Sequence, residues 1–251
     1  MTTMDDLKLP AAIELLWDRQ PAGARGPRPA RSVQEIVDAA VAVADAEGID
    51  AVSMARVAQE VGFSTMALYR YVPNKEALLQ LMWNAGGASM ISEEIEGEGW
   101  RSRLGSWAMI QRRAAGRHPW IARMPIANPP LAPNALRHLE RGMAAFEGTQ
   151  VPGGERIQVL GIISAYVLAD VRLGLELREG AEAAAREGVD LNFGGLLRAV
   201  VEEDEFPHLH RLAFSGEAED TVPSDDPGLF AADLEIILDG VEVLVARYEQ
   251  A

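Results

Sequence analysis

Helix start and stop signals follow one another closely between residues 32 and 83, and this spacing limits the fold more than any other feature of the chain. Ser32 followed three residues later by Glu35 has the pattern of a capping box, and Gly48 can end the helix that this box begins. Apolar residues recur at helical spacing between the signals, as an amphipathic helix requires. The same reasoning predicts three more helices: one capped by Ser53 and stopped by Gly62, one over residues 65–71, and one from near Lys75 through Met82.

The second and third of these helices, joined at Gly62, form a candidate helix-turn-helix. Ala58 is small where the two helices must cross closely, and Gly62 lies where the turn needs a positive φ. Leu68 is expected to point back into a small core. This spacing alone fits an ordinary helical hairpin about equally well.

The third helix favours a DNA-binding role because its surface is aromatic and basic. Residues 61–74 contain no acidic residue, although the chain has 38 acidic and 23 basic residues and a net charge of −15. An exposed helix of this kind suits the major groove of DNA. The side chains expected on its outer face or rim are Thr65, Met66, Ala67, Tyr69, Arg70 and Tyr71.

Residues 33–83 resemble the DNA-binding domain of the TetR family of transcriptional repressors, most specifically in residues 68–72 (LYRYV) followed by Asn74 and Lys75. The resemblance implies an all-α protein. It would have a three-helix helix-turn-helix domain at its N-terminal end and a larger C-terminal helical domain, like that of the tetracycline repressor, for ligand binding and dimerisation.

The resemblance also implies roles for single residues, and it leaves the base partner of Arg70 open. Ser53 and Arg56 would face the DNA backbone. Bases would be contacted by Thr65, Met66, Ala67 and Tyr69, and phosphates by Tyr69, Tyr71 and Lys75.

The first 31 residues are an extension with a basic segment. Residues 19–31 carry four arginines and no acid, and their prolines and glycines exclude a helix. The segment fits either a solvated linker or an arm that reaches DNA phosphates or the minor groove through Arg28 and Arg31. The DNA-binding pattern that follows favours the arm. Residues 9–19 are predicted to form a short helix, at best partly ordered without DNA.

We divide the rest of the chain into a DNA-binding domain at residues 32–83 and a ligand-binding and dimerisation domain at residues 84–251. A helix over residues 155–179 is apolar on two faces, and the last helix, over residues 226–248, has apolar residues at 3,4 spacing. Both fit core helices of a monomer or the four-helix interface of a dimer, and the resemblance favours the dimer. The predicted interface residues are Leu160, Val167, Val171, Leu234, Ile237, Leu238, Val241 and Val245.

Aromatic and methionine side chains of the C-terminal part are candidates for an apolar ligand cavity, although each fits plain core as well. Asp170 needs a partner if buried, and Arg172 or a cationic ligand could serve. His118, before Pro119, fits either a helix-end interaction or the cavity mouth. The candidate ligand-binding residues are Trp107, Ile110, His118, Trp120, Met124, Met143, Tyr166, Asp170 and Phe193.

Several classes of function are not expected. The chain has no cysteine, which excludes disulfides and cysteine-ligated zinc, and His208 and His210 would point apart on a helix. Neither a Gly-rich phosphate loop nor G-x-S-x-G is present, so we expect no cofactor, no metal and no enzymatic activity. The chain contains no run of about 18 apolar residues, so we expect no membrane span and a cytoplasmic protein.

The sequence therefore predicts a homodimeric repressor that a small molecule releases from a palindromic operator in double-stranded DNA. The alternative is a helical small-molecule-binding protein or enzyme without specific DNA binding.

Overall fold

The regular structure of the described residues is entirely helical. The computed structural model describes residues 9–17, 32–124, 131–189, 191–216 and 227–250. The predicted contacts Arg28 and Arg31 lie outside these ranges. Short 3-10 helices occur at Ile49–Ala51 and Pro119–Arg123, and we call the second one the connector. The α-helices are α1 (Ala11–Leu16), α2 (Val33–Glu47), α3 (Met54–Glu60), α4 (Thr65–Leu68), α5 (Lys75–Gly86), α6 (Ser89–Ser92), α7 (Gly99–Arg117), α8 (Pro133–Ala145), α9 (Gly153–Arg186), α10 (Phe193–Val200), α11 (Pro207–Ser215) and α12 (Pro227–Glu249).

Local capping signals begin the N-terminal helices where the sequence predicts them. The Ser32 hydroxyl accepts a hydrogen bond from the Glu35 N–H at 3.2 Å, and the Glu35 carboxylate accepts one from the Ser32 N–H at 2.7 Å. This pair is the capping box of α2. Gly48 ends α2 with φ 84°, and its ψ of 166° is extended rather than left-handed helical. The Ser53 hydroxyl caps α3 by accepting from the Arg56 N–H.

The third predicted helix is shorter than the sequence suggests, because α4 ends at Leu68 instead of at residue 71. Beyond it, the N–H of Arg70 donates to the carbonyl of Ala67 and the N–H of Tyr71 donates to that of Leu68, which are bonds of a tighter turn than an α-helix makes. The extension to residue 71 is therefore wrong. Pro73 follows at once and lacks the N–H that a longer helix would need.

A first core joins α2, α3, α4 and α5 around fully buried side chains such as Val57, Leu68 and Leu78. Trp120 and Ile121 of the connector belong to the same core. Gly86, at the end of α5, lies so close to the connector that a Cβ there would come within 2.8 Å of Ile121 Cδ1. The helix-turn-helix region and the C-terminal helices therefore share packed side chains.

A second core lies between α7, α8, α9 and α12, and all of the predicted interface residues except Val171 lie in it or pack against it. These residues thus take part in the core of their own chain, which is the alternative that their spacing left open. Ile237 is partly buried, and the other seven are buried: Leu160, Val167, Val171, Leu234, Leu238, Val241 and Val245.

Apolar side chains on the other faces of the same two helices stay exposed. Ile162 is 60% exposed and Leu173 is 43% exposed on α9, while Ile236 is 71% exposed and Val243 is 65% exposed on α12. Exposed apolar side chains that form a contiguous patch mark a surface that meets another protein.

The longest helix, α9, is long and apolar enough to cross a membrane when it is judged by length and composition alone. The core helix of a soluble protein passes the same test. In this chain α9 packs on α7 and α8, and Leu160 and Ile163 are fully buried there.

Candidate functional site

The turn between α3 and α4 has the backbone geometry of a helix-turn-helix. Gly62 has φ 74°, a conformation that glycine adopts without a steric penalty. The Phe63 N–H donates to the carbonyl of Ala58 at 2.8 Å, which closes the turn. Because Val57 and Leu68 are both fully buried, the two helices are fixed against each other by the first core.

The outer face of α4 and of the turn that follows it, here called the α4 face, is exposed and carries the predicted base-contacting side chains. Met66 is 76% exposed, Tyr69 is 43% exposed, and Arg70 is exposed beside them. Thr65 and Ala67 are half-buried at the edge of this face. These positions place an aromatic, a thioether and a guanidinium group on one solvent-facing surface without an acidic neighbour in residues 61–74.

Tyr71 lies at the rim of that surface. Its ring stacks on Phe63 with a centroid distance of 5.5 Å, and it is partly buried. Lys75 is exposed at the first position of α5, directly after the capping residue Asn74. Both residues follow α4 in sequence and keep a solvent-exposed part.

Arg56, predicted to face the DNA backbone, is held by two carboxylates of its own chain. Its guanidinium lies 2.7 Å from Glu47 and 2.6 Å from Glu60. Hydrogen bonds to these two carboxylates raise the pKa of Arg56 above its usual range. A phosphate contact would therefore require Arg56 to exchange at least one of these partners, whereas Ser53 is already used as the α3 cap.

A cavity of about 440 Å³ lies among α1, α5, α7, α8 and α9. Of the candidate ligand-binding residues, the structure places Trp107 and Met124 in its wall. The wall also includes Leu79, Trp83, Met90 and Leu168, and its polar members are Glu76, Gln80, Gln111, His138 and Ser164.

Two polar side chains in this wall have buried atoms without a hydrogen-bond partner among the described residues. They are Oε1 of Gln80 and both ring nitrogens of His138. Burial, assisted by the nearby charge of Arg141, lowers the pKa of His138 to about 4, so its ring is neutral at neutral pH. The ring stacks on Trp107 at a centroid distance of 4.6 Å. Unpaired buried polar atoms favour a ligand that can hydrogen-bond to them.

Two other candidate ligand residues have partners within the protein. Asp170 pairs with Arg112 at 2.8 Å, and not with Arg172, which binds Glu176. The Tyr166 hydroxyl donates to Asp233. These groups are satisfied by side chains that are distant in sequence, which is why a pattern of residue types could not identify them.

The remaining candidates also lie away from the cavity wall. Ile110 is fully buried, and Met143 packs against the second core. Phe193 is 43% exposed at the start of α10.

His118 and Trp120 connect the cavity region to α2. The Trp120 indole N–H donates to Oδ1 of Asp45 at 2.6 Å, and Nδ1 of His118 lies 2.9 Å from the same oxygen. Met124, directly after the connector, lines the cavity. Arg123 also binds Glu179 of α9 at 2.6 Å. The connector therefore contacts both α9 and α2, and the residue that follows it lines the cavity.

The sequence reasoning missed the contribution of α5 to the cavity. Leu79, Gln80 and Trp83 face the cavity, while Leu78 and Met82 of the same helix are buried in the first core. The available signal was a second, partly apolar face on a helix otherwise assigned to the DNA-binding region.

In the described part of the chain, no three His, Asp or Glu side chains form a group that could hold a metal ion. His210 is instead in contact with the ring of Phe214, at a centroid distance of 4.5 Å.

Two family models match the chain. The model described as "Bacterial regulatory proteins, tetR family" covers residues 36–82. The model described as "Tetracyclin repressor-like, C-terminal domain" covers residues 94–245.

Relatives match over nearly the whole chain. The HTH-type transcriptional repressor DrrR1 of Streptomyces coeruleorubidus is 34% identical over 94% of this chain and 86% of its own length. Apo ActR from Streptomyces coelicolor superposes with a TM-score of 0.70 at 27% identity, over 89% of this chain and 99% of ActR. ActR in complex with actinorhodin gives a TM-score of 0.70 at 28% identity, over 86% of this chain and 97% of that one.

Proposed function

This chain belongs to the TetR family of bacterial transcriptional regulators, which are DNA-binding proteins rather than enzymes, and on that premise we propose that it represses transcription by binding an operator. The protein would leave this operator when a small molecule fills the cavity. The observation that carries the proposal is the exposed, acid-free face of α4 with Met66, Tyr69 and Arg70.

This face would enter the major groove. Met66 and Ala67 can touch thymine methyl groups, and Arg70 can bond to guanine. The hydroxyls of Tyr69 and Tyr71 and the ammonium of Lys75 would bind phosphates, which fix the register of the helix on the duplex. Arg28 and Arg31 would add phosphate or minor-groove contacts.

A homodimer would present two α4 helices to a palindromic operator. We propose that it forms through the exposed faces of α9 and α12, where Ile162, Leu173, Ile236 and Val243 lack cover. A standard interface buries about 800 Å² per subunit. Two long helices from each subunit would then form a four-helix interface.

The effector would act through the connector. A ligand in the cavity touches Met124, and the connector that precedes it holds Asp45 of α2 through Trp120 and His118. A shift of the connector would change the position of α2 and with it the separation of the two α4 helices. The ligand would bind the shifted form of the protein more tightly than the form that fits the operator. The free energy of operator binding then weakens by the difference between the ligand-binding free energies of these two forms.

This function would place the protein in the cytoplasm, where it reaches chromosomal DNA. It also assigns DNA reading to residues 32–83, and effector binding and dimerisation mainly to residues 84–251.

The test begins with selection of bound duplexes from a random library by the purified full-length protein. We expect a palindromic consensus with half-sites about one helical turn apart. N-phenyl-1-naphthylamine, a neutral apolar amine, is the first compound to add to the protein on the selected duplex, with fluorescence anisotropy of the labelled duplex as the readout. Failure to enrich any sequence would contradict the DNA-binding proposal.

A further inference from the structure

The helix α1, which precedes the DNA-binding helices by sequence, lies in the wall of the cavity. Ile13 and Leu16 both line it, and Ile13 is only 7% exposed. Ala12 packs into the first core, and α1 contacts α5. One side of α1 therefore rests on α5 while another closes the cavity.

The C-terminal end of α1 is tied to another part of the cavity wall. The indole N–H of Trp17 donates to the carbonyl of Leu131 at 2.9 Å, a bond between residues 114 positions apart. Leu131 and Ala132, just before α8, are themselves part of the wall. The bond thus joins the C-terminal end of α1 to a distant segment of the chain that also lines the cavity.

The chemistry of the wall restricts what it can bind. The described residues that line it include one carboxylate, Glu76, and no lysine or arginine. His138 is neutral at neutral pH, so an anionic ligand would find no positive charge there. Oε1 of Gln80 accepts hydrogen bonds and lacks a partner among the described residues, which favours a ligand with an N–H or O–H group.

We propose that α1 is part of the effector site, with Ile13 and Leu16 as ligand-contacting residues, and that the site takes a mostly apolar, uncharged or cationic small molecule with a hydrogen-bond donor. This inference rests on the proposed function, since it assigns the effector to this cavity. It adds the N-terminal extension to a site otherwise built from α5 and the C-terminal helices.

A matched pair of fluorescent probes tests the chemistry. N-phenyl-1-naphthylamine is neutral and has one N–H donor, and 1-anilinonaphthalene-8-sulfonate is the same molecule with an added sulfonate. We expect the full-length protein to bind the neutral probe saturably, at least tenfold more tightly than the anion. Equal or tighter binding of the anion would overturn the proposed ligand class.

Substitutions on α1 test the wall. Ile13→Asp introduces a charge and Leu16→Trp fills space, and each should weaken binding of the neutral probe at least tenfold. Ala11→Asp places the same charge on the exposed face of α1 and should change the affinity less than twofold. Circular dichroism melting checks that each variant is folded, and Leu16→Trp keeps the test valid should Ile13→Asp displace α1.

The outcomes separate the two proposals. Ser164→Trp, on the α9 wall, locates the probe, since binding within the cavity must weaken in this variant. If Ser164→Trp weakens binding and both α1 variants bind as the wild type does, the role of α1 is refuted while the proposed function stands. If neither the α1 variants nor Ser164→Trp changed the affinity for the neutral probe, the cavity would be refuted as the ligand site. If the wild-type protein bound no DNA sequence specifically, the proposed function itself would be refuted.

Discussion

Asp45 accepts a hydrogen bond of 2.6 Å from the indole N–H of Trp120, and this bond joins the first helix of the helix-turn-helix domain to the connector beside the cavity. We expect Trp120→Phe to keep the aromatic packing, lose this bond, and cost about 1–2 kcal/mol of unfolding free energy, since the acceptor is a carboxylate. The response of DNA affinity to effector should shrink in the same variant. Urea denaturation and anisotropy titrations with and without effector check both effects. An unchanged effector response would show that Asp45 does not transmit the signal.

The exposed ring of Tyr69 should be needed for DNA binding and not for folding. Tyr69→Ala removes a predicted base and phosphate contact from each subunit, so we expect operator affinity to fall at least about tenfold, which corresponds to about 1.4 kcal/mol. The melting temperature should not change. Phe214→Ala, an exposed aromatic residue on α11, is the matched control and should bind the operator as the wild type does. Unchanged affinity of Tyr69→Ala would refute the assignment of α4.

Neighbouring residues on α12 should separate dimerisation from folding. Ile236 is 71% exposed and Leu238 is fully buried. Ile236→Glu should give a folded monomer, whereas Leu238→Glu places a charge in the second core and should unfold it. Sedimentation velocity and circular dichroism distinguish these results. A folded dimer of Ile236→Glu would show that the interface lies elsewhere.

Gly142 is a site of close packing. A Cβ at this position would lie 2.7 Å from Leu160 Cδ2 and 2.9 Å from the Trp107 ring. Gly142→Ala should therefore lower the unfolding free energy by about 1–3 kcal/mol through overpacking. In α9, a Cβ added at Gly180 would meet no neighbouring atom within 4 Å, so Gly180→Ala should be neutral or stabilise by up to about 1 kcal/mol. Equal stability of the two variants in urea would contradict the close contact.

The buried ring of His138 should make the protein sensitive to acid. Its pKa is lowered to about 4 in the folded state from an unfolded value of 6.5, so between these values the unfolded chain binds the proton and the folded one does not. Stability should consequently fall as the pH drops from 6.5 towards 4, by at most about 1.4 kcal/mol per pH unit.

The matched variants are His138→Phe and His208→Gln, the second being on an exposed side chain. We expect His138→Phe to reduce the loss of stability between pH 7.5 and 5.5, and His208→Gln to retain it. Urea denaturation at the two pH values is the measurement. An equal pH dependence in wild type and His138→Phe would exclude His138 as the cause.

Features that depend on near neighbours in sequence could be predicted, and those that depend on packing could not. The caps at Ser32 and Ser53 form within one helical turn, so their residue types are sufficient evidence. The 3,4 spacing of apolar residues on α12 identifies the face that carries Leu238, but whether that face packs within the chain or against a second copy depends on which helix lies nearby. The partner of Asp170 is 58 residues away, at Arg112, and no local rule identifies it.

The two faces of α5 affect how relatives of this protein could be recombined. A chimera that exchanges the first 83 residues would carry foreign versions of Leu79, Gln80 and Trp83 into the cavity together with the foreign DNA-reading helices. Such a hybrid would inherit part of its donor's chemical sensitivity along with its operator. A segment that transfers operator choice alone would have to begin after α1 and end before α5, at the loop around Pro73.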